Sequence, residues 1–364
     1  MKILEIIPQL SQGGAERFVI DLCNELSKEH EVVLIVLHNT DNRSFFLKEL
    51  SKNVRLININ KQMGMDWNLF FKIAKLIKKE KPNVVHTHLR AILYTILSFT
   101  FFPKIKFIHT IHSDAEKEAG GCISKWCRKY AFGLKRVHPV TISEESQRSF
   151  EKFYHLPSTL IYNGRPSYDI NTNISAVLQE LNKVKTNKDA RIIVNIARIQ
   201  PPKNQLSLAK AIINLNKQNY AIELAIIGEK ANKQITNDIV ALNSPYVHLL
   251  DIRTNPRDYM RAADAFCLSS IYEGMPITLI ECFSVGAVPL CTPVGGIVNM
   301  IQDGENGLLA KGSTPQDIET MLKKFLQLPN SEIERIKTSS LNTFKRFDMN
   351  QCAKNYISLF NQLI

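Results

Sequence analysis

The first 37 residues open on Met1-Lys-Ile-Leu-Glu-Ile-Ile-Pro8. Next come the loop Gln9-Leu-Ser-Gln-Gly-Gly14, a stretch from Ala15 to Lys28 with helical spacing of apolar residues, and Glu31-Val-Val-Leu-Ile-Val-Leu37. A buried-type strand at 2–7, a glycine loop at 8–14, a helix at 15–28 and a second apolar strand make a β-α-β start. Working outward, strand candidates recur at 54–59, 83–86, 106–110 and 137–142, separated by helix-length segments. That alternation predicts a parallel sheet with helices on both faces. After Ile161-Tyr-Asn-Gly-Arg-Pro166 the chain turns polar over 167–190, which reads as a domain boundary. The rhythm resumes with Arg191–Ala197, Ile222–Gly228, Val247–Leu250, Ala265–Leu268 and Val288–Cys291. The expected fold class is α/β, with two Rossmann-like doubly wound domains over 1–166 and 167–348.

Length and composition agree with this reading. At 364 residues, about 150 per domain favours two domains. With 45% apolar and 22% charged residues, disorder and collagen-like or disulfide-scaffolded chains are excluded. The seven cysteines are scattered and contain no Cys-x-x-Cys pair, which argues against a zinc site or a disulfide framework and for a reducing, cytoplasmic compartment. The N-terminal run reads as a strand rather than a signal peptide, and no stretch reaches the ~18 apolar residues of a membrane span. The formal charge is +12, and 25 Lys and Arg against 16 Asp and Glu fall in residues 1–165, so the excess sits in the first half. A basic half beside a nearly neutral one suits phosphates, nucleic acid or an anionic membrane, although a plain solvated surface also accounts for it.

Parallel sheets bind ligands beyond the carboxyl ends of their strands, so the loops after strands carry the information. Ser11-Gln-Gly13-Gly14-Ala-Glu16-Arg17 sits at the mouth of the first helix, where paired glycines permit close backbone approach and helix N–H groups favour an anion. A tight turn explains the same residues. Gly-x-Gly-x-x-Gly occurs nowhere, which removes the main support for a dinucleotide cofactor. In the second half, Arg198-Ile-Gln-Pro-Pro-Lys203 would present a fork and a point charge to one diphosphate. The most informative stretch is Glu273-Gly274-Met275-Pro276-Ile277-Thr-Leu-Ile-Glu281. Its apolar run predicts a helix starting near Pro276, with the N–H groups of Gly274, Met275 and Ile277 turned toward an anion. Glu281 could accept two hydrogen bonds from a cis-diol. Taken singly, Glu273 and Glu281 are also explained as a charge on the helix dipole and an exposed helix carboxylate. Four histidines, in His86-Thr-His88 and His109-Thr-Ile-His112, end two apolar strands. Neither pair has a carboxylate or third ligand at recognisable spacing, so no metal site is expected.

Together these residues resemble the GT-B glycosyltransferases, and most closely family 4 of retaining enzymes that use nucleotide sugars. The likeness runs from Gly13-Gly14-Ala-Glu-Arg17 through Arg198 and Lys203 and the Glu273-x7-Glu281 signature to Gly295-Gly296 and Asp303-Gly304-x-Asn306-Gly307. It implies two facing Rossmann-like domains, with the donor bound mainly by the second, and a final helix over 349–363 that returns to the first. By this resemblance Arg198 and Lys203 neutralise the leaving diphosphate, Glu273 holds sugar hydroxyls, Glu281 the ribose, and the backbone of Gly274, Met275, Pro276 and Ile277 the sugar and phosphate. His112 matches the first-domain histidine near the anomeric centre and is grouped with Glu273, Arg198 and Lys203 as catalytic. Gly14 borders the phosphate, while Gly13, Arg17 and His112 are assigned to the acceptor side. Asp251-Ile-Arg253 stands where the family often has Gly before its base-contacting residue, and Arg253 is assigned to the donor nucleotide. No Asp-x-Asp occurs, so no metal or cofactor beyond the nucleotide-sugar co-substrate is expected.

Three basic segments interleaved with aromatics are 68–81, Tyr94 to Lys106, and the cluster Lys125, Arg128, Lys129, Lys135 and Arg136. They suit an anionic leaflet or a lipid-diphosphate acceptor. The expected activity is transfer of a hexose, from a UDP-sugar, to a lipid-linked or growing surface-polysaccharide acceptor at the inner face of the plasma membrane. A GT-B-shaped nucleotide-sugar epimerase is the enzymatic alternative. Nucleic-acid binding would explain the charge but not the glutamates and glycine loops, and no nucleic-acid partner is expected.

Overall fold

The computed structural model describes residues 1–38, 46–62 and 64–364. The chain divides into two compact units, Met1–Pro166 with Phe347–Ile364, and Ser167–Arg346. Residues 347 and 348 thus join the first unit, two residues ahead of the expected boundary at 349.

In the first unit, β1 (Lys2–Ile7), β2 (Glu31–His38), β3 (Arg55–Lys61), β4 (Val84–His88), β5 (Lys106–Ile111), β6 (Val137–Thr141) and β7 (Thr159–Leu160) form one parallel sheet in the order β3-β2-β1-β4-β5-β6-β7. The order reverses between β1 and β4, and their register pairs Glu5 with His86. β1 and β2 are almost wholly buried because helices cover both faces, which is why they read as continuous apolar runs. The last helix, Met349–Leu363, packs at Gly164, where a Cβ would come 2.8 Å from the Met349 Cα. Glycine is required there by that close approach.

In the second unit, β8 (Arg191–Ile196), β9 (Ile222–Ile227), β10 (Val247–Leu250), β11 (Ala265–Leu268), β12 (Pro289–Cys291) and β13 (Leu308–Leu309) run parallel in the order β10-β9-β8-β11-β12-β13. Here the order reverses between β8 and β11. The loops leaving those two strands therefore emerge side by side.

Several expectations change. The polar stretch 167–190 contains the helix Ser175–Val184, held by buried Val177 and Leu181, so it is only partly linker. Pro276 is the residue before the helix Ile277–Ser284 rather than its first residue. Within the basic segments, Phe99 and Arg128 are buried, and the Arg136 guanidinium donates to the carbonyls of Phe99 and Phe102. These three side chains belong to the packing of the first unit. No helix among the described residues is long and apolar enough to cross a membrane.

Candidate active site

The loops after β8 and β11 are laced together. The Ile271 N–H donates to the Pro202 carbonyl (2.9 Å) and the Ser269 hydroxyl to the Lys203 carbonyl (3.0 Å). Lys203 Nζ and the Ser270 hydroxyl both donate to Glu273 Oε1, each at 2.6 Å. Glu273 Oε2 takes no hydrogen bond among the described residues. One carboxylate oxygen is thus anchored while the other remains an oriented acceptor. Behind the loop, Gly295 sits at φ 53°, and a Cβ there would fall 1.8 Å from the Glu273 carbonyl oxygen. The Gly296 N–H donates to the Gly274 carbonyl at 2.8 Å. Gly295-Gly296 therefore serves as the wall against which the Glu273 loop is pressed.

The helix Ile277–Ser284 that follows has no side-chain cap at its start. The N–H groups of Leu279 and Ile280 donate to the Pro276 carbonyl (3.1 and 3.4 Å), which leaves those of Ile277 and Thr278 at the mouth of the helix, where the dipole favours an anion. Glu281 lies buried on this helix. Arg198 is exposed at the start of the β8 loop, and its carbonyl accepts from the fully buried Gln205 amide at 3.0 Å. Arg253 stands apart from this cluster: its guanidinium donates to Glu180 (2.5 Å) and to the Tyr259 hydroxyl (2.9 Å). Ser270 and Gln205 were not anticipated. The only hint in the sequence was a pair of small hydroxyl residues directly after the apolar strand β11.

In the first unit, Gly13 is the extended residue before the helix Gly14–Leu26, and a Cβ there would lie 2.1 Å from the Glu16 carboxylate. Glu16 curls back and accepts from the Ser11 hydroxyl (2.8 Å), so this N-terminus already carries a carboxylate. Arg17 pairs with Glu49 (2.6 Å) and Asp21 (3.3 Å) and lies over the Phe46 ring. The Gly13-Gly14 loop is thus a turn closed by its own acid, and Gly14 is exposed.

The histidines occupy two faces of the β4–β5 core. On one, Glu5 accepts from His86 Nδ1 (3.0 Å to Oε2) and His88 Nε2 (2.8 Å). His88 Nδ1 meets His112 Nε2 at 2.9 Å, and His86 Nε2 meets the Thr110 hydroxyl at 2.7 Å. Thr110 in turn contacts the Tyr356 hydroxyl of the last helix at 2.9 Å. On the other face, His109 lies between Thr87 (2.9 Å) and the buried Arg128 (2.6 Å). For His86 and His88 the carboxylate comes from Glu5, about eighty positions away in sequence and adjacent in the sheet, while Glu118, six residues after His112, accepts from the His112 N–H (2.7 Å) and lies 3.6 Å from His109 Nε2. Glu5, His86 and His88 are the one trio among the described residues whose ligand atoms converge as a metal would require. Each of those atoms is already spent on a hydrogen bond within the trio, and all three side chains are fully buried. The trio is a closed hydrogen-bond network.

Comparison with known proteins decides what this geometry belongs to. A glycosyltransferase family 4 model matches residues 12–166, and a group 1 glycosyl transferase model matches 178–340. The chain belongs to the family 4 glycosyltransferases of GT-B fold. Among its relatives is a Staphylococcus aureus capsular polysaccharide biosynthesis glycosyltransferase, CapH, 25% identical over 99% of this chain and 98% of the relative. Another is a Campylobacter jejuni α-1,4-N-acetyl-D-galactosaminyltransferase, named for a diphosphoundecaprenol-linked glycan, 24% identical over 100% of this chain and 99% of the relative. Among solved structures, Anabaena HepE in complex with UDP has the same fold, with a TM-score of 0.81 at 19% identity and 100% coverage of both chains.

In this glycosyltransferase the polar core of the first unit is electrostatically tuned. Burial alone would raise the Glu5 carboxyl, but His86 and His88 outweigh it and hold it at about 2. Burial, and then the neighbouring His86, lowers His88 to about 4. Burial pushes His109 and His112 well below the ordinary histidine value of 6.5. Each of these histidines binds a proton more weakly in the folded enzyme than in the unfolded chain, so its contribution to stability is full above about 6.5 and is lost as pH falls below it. Glu5 adds a second loss as pH falls from about 4.5 toward 2. Both tryptophans, Trp67 and Trp126, lie in the first unit, so their fluorescence follows that unit. In urea titrations the tryptophan-reported midpoint should be lower at pH 5 than at pH 7.5, and an equal or higher midpoint at pH 5 would refute this assignment of charge states.

Proposed function

We propose that this glycosyltransferase transfers a hexose from a UDP-sugar to a lipid-linked glycan, with retention of configuration and without a metal. The observation that carries the reading is the Lys203–Glu273–Ser270 cluster placed beside the uncapped start of helix Ile277–Ser284. A diphosphate leaving group needs positive charge and N–H donors fixed in advance, and Lys203, Arg198 and the first turn of this helix supply both. Glu273, with one oxygen anchored and one open, suits a sugar hydroxyl. A carboxylate already neutralised by an ammonium and a hydroxyl is a poor nucleophile, so Glu273 orients the sugar rather than forming a covalent intermediate. Glu281 takes the ribose, Gly274 to Ile277 the sugar and phosphate backbone contacts, and His112 of the first unit a donor-sugar hydroxyl. The UDP donor is supported by HepE, whose structures hold UDP and UDP-glucose. The lipid-linked acceptor is supported by the diphosphoundecaprenol-linked glycans named for the Campylobacter relative and for an Escherichia coli galactosyltransferase. Arg253, bound to Glu180, has to release that partner before it can reach a base.

The acceptor side is proposed to rest on an anionic membrane. Trp126 and Ile123 are exposed on the helix Cys122–Gly133, and Lys125 and Lys129 hang over the Phe153 ring at 5.7 and 5.6 Å. Trp67 and Phe71 are exposed on the basic helix Trp67–Glu80. Apolar rings beside ammonium groups suit a headgroup boundary, where the rings enter and the charges stay at the surface.

Calorimetry in the presence of a chelator should show UDP binding, with GDP and ADP weaker. Arg198→Ala, Lys203→Ala and Glu281→Ala should each weaken UDP binding at least tenfold, about 1.4 kcal/mol. Preference for another nucleotide would change the donor, and affinity that ignores all three substitutions would place the donor elsewhere. In flotation assays the protein should rise with phosphatidylglycerol vesicles, and less so when Lys125 and Lys129 are replaced by Glu. Equal flotation with pure phosphatidylcholine vesicles would remove the anionic surface from the proposal, and no flotation with either would remove the membrane.

A further inference from the structure

The contacts around Glu5 determine more than packing. A carboxylate only accepts hydrogen bonds, so His88, 2.8 Å from Glu5 Oε2, must carry its proton on Nε2. A neutral His88 then has a bare lone pair on Nδ1, and the atom facing it, His112 Nε2 at 2.9 Å, has to be the donor. With its proton committed there, His112 is left with an unprotonated Nδ1, which has no partner among the described residues. The depressed proton affinities of His88 and His112 agree with two neutral rings. The second branch, from Glu5 through His86 and Thr110 to Tyr356, holds the carboxylate in place from the last helix. Phe18 packs edge-on against both His88 and His112, with ring centroids 6.2 and 5.7 Å away, which restrains both imidazoles.

We propose that Glu5 is a positioning residue which, acting through His88, fixes His112 as a neutral imidazole presenting a hydrogen-bond acceptor at Nδ1. The first unit then offers a sugar hydroxyl an acceptor, and offers the phosphates no cation at this point. Ionised Glu5 is a costly group to bury, and its two imidazole N–H donors are what make it tolerable. Which nitrogen of a histidine carries the proton is set by the bond made at the other one, and here that rule runs through two rings in succession. The catalytic consequence rests on the reading of His112 as a donor-sugar contact. The tautomer does not.

The test begins with the wild-type protein, whose ¹⁵N-histidine long-range correlation spectrum at pH 7.5 should show His112 protonated at Nε2 and bare at Nδ1. His112→Ala supplies the assignment. In Glu5→Gln the carboxamide N–H can donate to His88 Nε2, which shifts the His88 proton to Nδ1 and forces His112 into the opposite tautomer. With UDP-glucose, UDP-galactose and their N-acetyl forms as probes, that variant should release UDP with a kcat about tenfold lower. Its affinity for UDP should stay within twofold of wild type. Glu5→Gln placed on His112→Ala should cost nothing further, because the two substitutions remove one interaction. A wild-type His112 protonated at Nδ1 overturns the proposal without requiring any variant to fold. A flipped tautomer with unchanged kcat, or a further loss in the double variant, overturns the catalytic part. A wild type that neither binds UDP nor turns over any of the four probes, with the expected spectrum, counts instead against the proposed function and the role it gives His112.

Discussion

The ion pair between Lys203 and Glu273 is the contact on which the proposed donor site of this enzyme depends. Its two members sit seventy positions apart, and they meet because the strand order of the second sheet reverses between β8 and β11. Both side chains are mostly sequestered, with 20% and 9% of their surface accessible. Removing either would leave the other charge poorly compensated. The pair also positions its surroundings. Glu273 is pressed from behind by Gly295, held from the side by Ser270, and leads directly into the helix whose N-terminus faces the proposed diphosphate. A site that must stabilise charge at the moment of bond cleavage gains from donors that need not reorganise, and this loop is fixed on three sides before any ligand arrives.

The first unit solves a different problem. Its sheet carries histidines within a largely apolar core, and it hydrogen-bonds them in two networks that Glu118 links by accepting from both the His112 N–H and Arg128. The alternation of side chains along β4 decides the division: His86 and His88 face Glu5 and the last helix, while Thr87 faces His109 and Arg128. Tyr356 joins the C-terminal segment to the first of these networks, so that a helix encoded at the end of the chain helps hold a residue encoded at its start.

The sheets, their parallel sense and the two loops that meet at Lys203 and Glu273 were legible in the sequence because they depend on local patterns: apolar runs, punctuating glycines, and charged residues directly after strands. What was not legible depends on sheet register. Glu5 reads as a charge interrupting a strand, and nothing near it in the sequence says that His86 is its neighbour. The same limit hid the burial of Arg128, whose place in a run of lysines suggested a surface. The family resemblance assigns Arg17 and Arg253 to ligands, and the structure gives each an acidic partner supplied by a distant segment, Glu49 and Glu180. The short strands β7 and β13 have two residues each, too few for periodicity to register. Helix Ser175–Val184 escaped because its polar face dominates a stretch with only two buried residues.

The central claim is that the nucleotide is held by the loops after β8 and β11 in the second unit. Hydrogen–deuterium exchange with and without UDP, in chelator, tests it most directly, because it reads backbone protection in every segment at once. The account predicts slower exchange in peptides covering 198–204 and 273–284, from N–H groups newly engaged by phosphate and from a loop whose opening is suppressed. Protection confined to residues 1–166, or none in these two segments at saturating UDP, would contradict it.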